Sequence, residues 1–181
     1  MYADSRFLVN RGVLYNGALD KLAEINLTKE IILRGVDPKR LIFGDHLARP
    51  EYLARYRVAD LFLDTRPYNA GTTASDALRM GLPVLTLKGN SYPSRMAASI
   101  VSAVNLPELI TTSYEEYESI AIELATDLEK LKIIKDKLLS NLSTAPLYDT
   151  ALFTRSLETA YSEMYDRYQK GLGPEHIYVE H

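Results

Sequence analysis

The chain has 181 residues, of which 46% are hydrophobic and 25% are charged, and its formal net charge is −3. These values are typical of one globular domain with a substantial core. The small negative charge gives no general attraction to nucleic acid or to anionic membranes, so any anion site has to be local. The absence of cysteine excludes disulfides, thiolate metal sites and a cysteine nucleophile.

Strand and helix signals alternate along the first 111 residues. Short apolar runs predict strands at 6–10, 40–43, 61–63, 84–87 and 109–111, with a loop at 12–17. Apolar residues at helical spacing predict helices over 18–34, 50–59, 74–80 and 94–104. Repeated β-α-β units indicate an α/β fold, a Rossmann-like parallel sheet with helices on both faces.

The rest of the chain is predicted to be a helical extension. Ser113 and Glu116 have the spacing of a capping box. One helix face follows, made of Tyr117, Ile120, Ala121, Leu124 and Leu128. Leu131, Ile134 and Leu138 continue a helical stripe as far as Pro146. Phe153, Leu157, Tyr161, Met164 and Tyr168 mark a long last helix, and we expect its tyrosines to pack against the domain. We predict one domain over residues 1–170 and a flexible tail over 171–181.

Membrane and export signals are missing from the sequence. No run reaches the ~18 apolar residues of a membrane span. The first residues also lack the basic-then-apolar pattern of a signal peptide. We therefore expect a cytoplasmic protein with neither nucleic acid nor membrane as a partner.

The most informative segment follows the predicted strand at 61–63. A loop with Pro67, Asn69 and Gly71 leads into a helix entered through Thr72 and Thr73. Such a loop leaves several backbone N–H groups unpaired at the positive end of the helix dipole, which is a site for phosphate or pyrophosphate. Asp76, one turn into that helix, is placed to bind a sugar hydroxyl of the same ligand. The segment predicts a nucleotide or nucleotide-sugar site.

Four ordered blocks of this sequence resemble the O-GlcNAc transferase family, the SPINDLY-like glycosyltransferases of family 41. The blocks are Ala59-Asp60-Leu-Phe-Leu-Asp64-Thr65, Tyr68-Asn69-Ala-Gly-Thr72-Thr73-Ala-Ser-Asp76, Gly81-Leu-Pro83-Val-Leu-Thr86 and Ser94-Arg95-Met-Ala97-Ala98-Ser99. The similarity covers roughly residues 6–168. A lone Thr-Thr-x-x-Asp would be weak evidence, whereas four blocks at matching spacings are specific.

The resemblance implies the C-terminal, donor-binding half of a GT-B enzyme. Such an enzyme has two Rossmann-like halves that face each other across a cleft. The family transfers a sugar from a UDP-sugar, here UDP-GlcNAc or UDP-glucose, to a protein Ser or Thr hydroxyl, or to Asn in some bacterial branches. Transfer is inverting and needs no metal or other cofactor. The N-terminal catalytic half and the helical repeats through which an acceptor protein would be bound lie outside this sequence, so we expect the isolated chain to be inactive.

The family's donor-binding positions fall on eight residues. Thr72 and Thr73 match the paired threonines at the pyrophosphate, and Asp76 matches the ribose acid. Leu47 corresponds to a backbone contact to uracil, while Arg49 and Arg55 match basic positions near it. Two positions depart from the family pattern, since Gly71 and Tyr52 stand where histidines are usual. Gly71 removes a side-chain donor, and Tyr52 can still stack on a base but has no cationic form.

Other interpretations of these residues stay open. Asp76 could also be a first-turn acid favoured by the helix dipole, although we favour the ribose role, whereas Arg49 and Arg55 fit solvated helix charges equally well. Asp64, at the end of a strand, is better explained as capping a turn than as a ligand. His46, His176 and His181 are too scattered for a zinc site. No catalytic base can be assigned.

Two further functions are compatible with the sequence. The first is a non-catalytic UDP-binding or interaction module derived from the same family, which the loss of the two histidines favours. The second is a GT-B epimerase that acts on a UDP-sugar. The blocks around Thr72 and Ser94 resemble transferases more than epimerases.

Overall fold

We describe the protein from a computed structural model that covers residues 7–9, 17–44 and 47–179, with side chains from residue 21 onwards. The strands are β1 (Phe7–Val9), β2 (Leu61–Leu63), β3 (Val84–Leu87) and β4 (Ile110–Thr111). The α-helices are α1 (Gly17–Leu33), α2 (Arg49–Arg55), α3 (Thr72–Arg79), α4 (Met96–Ala103), α5 (Tyr114–Thr126), α6 (Leu128–Leu142) and α7 (Thr150–Gln169). Short 3₁₀ turns lie at Pro38–Arg40, Tyr56–Val58, Pro93–Arg95, Pro107–Leu109 and Pro146–Tyr148.

The described strands form one parallel sheet in the order β1-β2-β3-β4. Phe62 pairs with Val84, and Thr86 pairs with Ile110. All four residues of β3 are buried. Because successive side chains point to opposite faces, a fully buried strand requires cover on both faces of the sheet. The predicted fold class, a parallel sheet flanked by helices, is therefore confirmed.

The predicted strand at 40–43 is wrong. Arg40 belongs to the 3₁₀ turn that begins at Pro38, where the Asp37 carboxylate accepts a hydrogen bond from the Lys39 amide. Residues 41–43 join no strand among the described residues, and Ile42 is 87% exposed. Among the described residues, β1 pairs only with β2, and residues 41–43 do not extend the sheet beyond β1.

Most other predicted boundaries agree with the structure within a few residues. Strand 6–10 is observed as Phe7–Val9, while its two end residues and most of the predicted loop at 12–17 lie outside the described residues. The helix predicted over 50–59 ends earlier, at Arg55, and continues as a 3₁₀ turn. Gly81 ends α3 with a φ of +80°, as its position after the helix predicts.

Two predictions about the helical extension are wrong. Leu128 does not extend the face of α5, because Asp127 caps a new helix by accepting a hydrogen bond from the Lys130 amide. The tyrosines of α7 are exposed, and α7 has no buried residue. Helices α5 and α6 already fill the core with Leu124, Leu131, Ile134 and Leu138, so α7 extends beyond it.

None of the described helices combines the length and the apolar composition that a bilayer crossing needs. The division into a domain over 1–170 and a tail over 171–181 stays a prediction. Arg167 of α7 contacts this tail: it donates a hydrogen bond to the Gly173 carbonyl and forms an ion pair with Glu175.

Candidate functional site

Asp64 organises the loop that connects β2 to α3. One carboxylate oxygen accepts hydrogen bonds from the Thr65 amide at 2.9 Å and the Ala70 amide at 2.7 Å. The other accepts from the Thr86 hydroxyl on β3 at 2.7 Å. Burial raises the pKa of the Asp64 carboxyl, and these hydrogen bonds oppose part of that rise. Asp64 therefore caps the turn, as the sequence predicts.

A second buried polar residue joins two loops at the carboxyl edge of the sheet. Asn69 is 1% exposed, and its side-chain amide donates to the Thr65 carbonyl at 2.9 Å. Its backbone amide donates at 3.0 Å to the carbonyl of Pro93, in the loop after β3. One backbone hydrogen bond, from Asn69 to Pro93, therefore joins the two loops that border the candidate site, and the Asn69 side chain stabilises its own loop.

The loop after β3 depends on a glycine. The Gly89 amide donates at 2.7 Å to the Ser94 carbonyl. A Cβ at Gly89 would lie only 2.4 Å from the Ser94 hydroxyl oxygen, so no other residue fits without a shift. Ser94 is buried, and its hydroxyl accepts from the Ser91 amide at 3.0 Å.

Helix α3 begins at the mouth of these loops without a side-chain cap. Gly71 is its N-cap residue and supplies no side-chain hydrogen bond. Thr72 is exposed and Thr73 is half-buried. The first N–H groups of an uncapped helix point to solvent or to a ligand, and the helix dipole favours an anion there. Arranged in this way, Gly71, Thr72 and Thr73 can hold a phosphate group.

The position of α3 is fixed from its buried side. Ala74, Ala77 and Leu78 are fully buried against the core. The Tyr148 hydroxyl donates at 2.8 Å to the Ser75 carbonyl in the first turn of the helix. No local pattern indicates this contact, because Tyr148 lies 73 residues further along the chain.

Asp76 and Arg49 form a bidentate pair between α3 and α2. The Arg49 Nη2 and Nη1 atoms donate to the two carboxylate oxygens of Asp76 at 2.9 Å and 3.1 Å. Asp76 is 7% exposed, whereas the Arg49 side chain is 62% exposed. Arg49 is thus more than a solvated helix charge, and Asp76 is more than a dipole-favoured first-turn acid.

An aromatic cluster lies on α2 beside that pair. The guanidinium carbons of Arg49 and Arg55 lie 5.7 Å and 5.8 Å from the Tyr52 ring centroid. The Tyr52 ring meets the Tyr56 ring edge to face at 5.3 Å, and their hydroxyl oxygens are 2.5 Å apart. Tyr56 is 4% exposed. Burial, followed by the hydrogen bond to Tyr52, raises the pKa of Tyr56, so its phenol stays neutral.

The structure brings together most of the predicted site residues. Arg49, Tyr52 and Arg55 share one helix, and the Arg49–Asp76 pair ties it to the helix of Thr72 and Thr73. Leu47 is half-buried at the start of that region, and no contact to the other site residues is described for it. His46 and His181 lie outside the described residues. Elsewhere in the described chain, no three metal-binding side chains lie close enough together to hold a metal ion.

Sequence reasoning missed Tyr56 and Asn69 as parts of this region. The signal for Tyr56 was its position four residues after Tyr52, which places the two rings on one side of a helical segment. Asn69 was noted only as a turn residue. Its burial depends on the loop after β3, which the local sequence does not reveal.

Fold and site together define a Rossmann-like α/β domain with a candidate anion site at the carboxyl edge of its sheet. A model of glycosyl transferase family 41 matches residues 4–157 of the chain. The chain therefore belongs to glycosyltransferase family 41.

Named relatives agree with this assignment. The chain is 34% identical over 154 residues to a Caenorhabditis elegans UDP-N-acetylglucosamine--peptide N-acetylglucosaminyltransferase, a match that covers 85% of this chain and 13% of the relative. It is 35% identical to the probable Arabidopsis thaliana enzyme SEC, with 81% of this chain and 15% of the relative covered. A mutant O-GlcNAc transferase of Thermobaculum terrenum matches with a TM-score of 0.78 and 34% identity, over 91% of this chain and 31% of that one. The chain thus spans only a small part of the relatives it matches.

Proposed function

We propose that this chain is the donor-binding half of an inverting, metal-independent protein O-glycosyltransferase. The donor is a UDP-sugar, and UDP-GlcNAc is the first choice because the relatives are named for UDP-N-acetylglucosamine. One observation carries the proposal: an uncapped helix N-terminus with two threonines lies next to a buried carboxylate in a member of this glycosyltransferase family.

Each part of a UDP-sugar has a matching group in this site. The pyrophosphate lies at the start of α3, where backbone N–H groups and the hydroxyls of Thr72 and Thr73 stabilise the negative charge of the leaving UDP. The ribose lies at Asp76, whose carboxylate accepts from its hydroxyls. The uracil lies along α2, against the Tyr52 ring and near Arg49. Binding in this way presents the sugar at the carboxyl edge of the sheet.

The catalytic base and the acceptor groove belong to another part of the enzyme. Asp64 is committed to three hydrogen bonds, and Asp76 is paired with Arg49, so neither is free to take a proton from an acceptor. A single half also lacks the advantage of holding two substrates in reacting geometry. We therefore expect no sugar transfer from this chain alone, and transfer to Ser or Thr of a protein acceptor by the longer enzyme.

Isothermal titration calorimetry of the purified chain with UDP tests the donor site. We expect UDP to bind with and without a chelator, and inorganic pyrophosphate to compete with it. Thr73→Val should weaken both ligands, whereas Thr159→Val, which alters an exposed hydroxyl on α7, should change neither. Absence of UDP binding at millimolar concentration, or binding that disappears in the chelator, would contradict the proposal.

A non-catalytic UDP-binding module is the second candidate, because Gly71 and Tyr52 occupy positions where family members usually carry histidines. The backbone at position 71 accepts a side chain: a Cβ there would meet the Met96 Cγ at an ordinary 3.6 Å. Gly71→His therefore tests the difference in the full-length protein, with labelled UDP-GlcNAc and a Ser/Thr-rich peptide. Transfer by the unchanged enzyme supports the glycosyltransferase. Transfer only by the Gly71→His variant supports a module that has lost its activity.

A further inference from the structure

Tyr56 connects α2 to the core of the domain. It lies in the 3₁₀ turn that continues α2. The centroid of its ring is 6.4 Å from the ring centroid of the fully buried Phe62 on β2. Its other neighbour is Tyr52, one helical turn earlier. The Tyr56 ring therefore lies between Tyr52, a residue of the candidate site, and the buried strand β2.

The hydroxyl of Tyr56 is hydrogen-bonded to the hydroxyl of Tyr52. Breaking the hydrogen bond of a buried phenol costs free energy, because the hydroxyl cannot bond to water instead. The edge-to-face contact between the Tyr52 and Tyr56 rings is a second constraint on the orientation of the Tyr52 ring. Tyr52, although only half-buried, is thus held in one orientation from inside the protein.

Two arginine side chains lie over the Tyr52 ring. The guanidinium carbons of Arg49 and Arg55 are within the ~6 Å range of a cation–π contact. A base that stacked directly on the ring would lie closer, with its plane at roughly 3.5–4 Å, and would take the place of a guanidinium on that face. Arg49 also holds Asp76, so the ring orientation and the carboxylate position are linked through one side chain. A ring fixed in advance binds a flat ligand at a lower entropic cost than a freely rotating one.

We propose that Tyr56 is a positioning residue whose buried hydroxyl holds the Tyr52 ring at the angle at which that ring stacks on the uracil of a UDP-sugar. This inference rests on the proposed donor site. Tyr56 touches no ligand and acts only through Tyr52. It sets how strongly the base contributes to binding and leaves the contribution of the pyrophosphate unchanged.

The test compares UDP with inorganic pyrophosphate as two probes of the same site. Calorimetry gives the ratio of their affinities for the unchanged chain and for Tyr56→Phe, Tyr52→Phe and the double variant. We expect each single variant to weaken UDP about 2- to 10-fold, the range for one lost hydrogen bond, with pyrophosphate unchanged. The double variant should be no weaker than either single one, because the same bond is lost. Tyr52→Ala should lose about tenfold or more, as expected for a lost stacking partner.

Tyr117→Phe is the matched control. Like Tyr56→Phe, it removes one tyrosine hydroxyl, which here donates at 3.0 Å to the Asp64 carbonyl. Tyr117 is a half-buried residue of α5, away from α2. It should lower the unfolding temperature without changing the UDP-to-pyrophosphate ratio. If Tyr56→Phe behaves in the same way, or if the two Phe substitutions have additive effects, the positioning role is overturned. An unchanged ratio in Tyr52→Ala overturns it too but leaves the donor site standing, whereas a chain that binds neither probe refutes both.

Discussion

The two sides of the candidate site are built by different means. On the phosphate side, the loop from β2 to α3 is held by buried hydrogen bonds of Asp64 and Asn69, and the ligand would meet mainly backbone N–H groups. On the base side, α2 offers long side chains that are partly exposed and that hold one another, as Arg49 and Tyr52 do.

This difference predicts how each side responds to substitution. Backbone N–H groups do not depend on the identity of the residue that carries them, so the phosphate side can keep an anion site even with Gly71 as its N-cap. The base side has less reserve, because most of its contacts are made by side chains. Loss of the buried hydrogen bonds that hold the phosphate loop should appear first in stability, and loss of a ring contact on the base side should appear first in selectivity for the nucleotide.

The largest effect is expected from Asp64→Ala. The substitution removes three accepted hydrogen bonds and leaves the buried Ala70 amide without its acceptor. The unfolding free energy should fall by about 3 kcal/mol or more. Urea unfolding followed by circular dichroism measures this loss. Asp64→Asn keeps an acceptor oxygen and should cost less than half as much; equal losses would mean that the loop does not depend on these bonds.

Asp76→Asn should act on binding more than on folding. If the carboxylate holds the ribose, UDP affinity should fall by about 1–3 kcal/mol, the range for losing a charged hydrogen-bond partner. Inorganic pyrophosphate, which has no ribose, should bind as before. Calorimetry with both ligands provides the measurement, and an equal loss for the two would place Asp76 outside the nucleoside contact.

The Arg49–Asp76 pair supplies a control for that experiment. Arg49→Ala leaves a buried carboxylate without its partner, so it should lower the unfolding free energy. Adding Asp76→Asn to Arg49→Ala removes the unpaired charge and should recover part of the loss. Additive losses would show that the pair is not coupled in solution.

A smaller effect is expected from Thr73→Val. The variant keeps the shape of the half-buried side chain but removes the hydroxyl at the helix N-terminus. UDP and pyrophosphate should both weaken by about 1 kcal/mol, and the unfolding free energy should stay within about 0.5 kcal/mol. A loss confined to UDP would contradict the division between a phosphate side and a base side.

The smallest effect concerns pH. Because burial raises the pKa of Asp64 in the folded state, the folded protein binds this proton more tightly than the unfolded chain does. Stability should therefore fall as the pH rises from the ordinary aspartate pKa, about 3.9, through the raised value, and Asp64→Asn should lack this component. Unfolding measured between pH 4 and pH 7 should show the variant gaining on the unchanged protein as the pH increases. A constant difference would mean that the hydrogen bonds cancel the effect of burial.

Local sequence patterns were sufficient to predict short apolar strands and a capped helix start. The strands at 61–63 and 84–87 were predicted residue for residue, because short apolar runs bounded by polar or turn-forming residues have few alternatives. The capping serine at 113 is confirmed in the same way, since its hydroxyl accepts from the Glu116 amide at 3.1 Å. The strand at 40–43 failed because an apolar run becomes a strand only where it pairs with a neighbouring strand, and residues 41–43 pair with none among the described residues.

The sequence by itself determined the order of strands and helices apart from the wrong strand at 40–43, the loop of Gly71 to Thr73 at the start of α3, and the family. These follow from periodicity, turn residues and ordered motifs, which are properties of neighbours along the chain. Only the tertiary structure decided that Arg49 closes on Asp76, that Tyr56 holds Tyr52, and that the tyrosines of α7 lie exposed. The Arg49–Asp76 pair joins two residues that are 27 positions apart in the sequence. The burial of Tyr56 and the exposure of the α7 tyrosines depend on which surfaces the core covers. Burial is a property of the whole fold, so no local pattern encodes it.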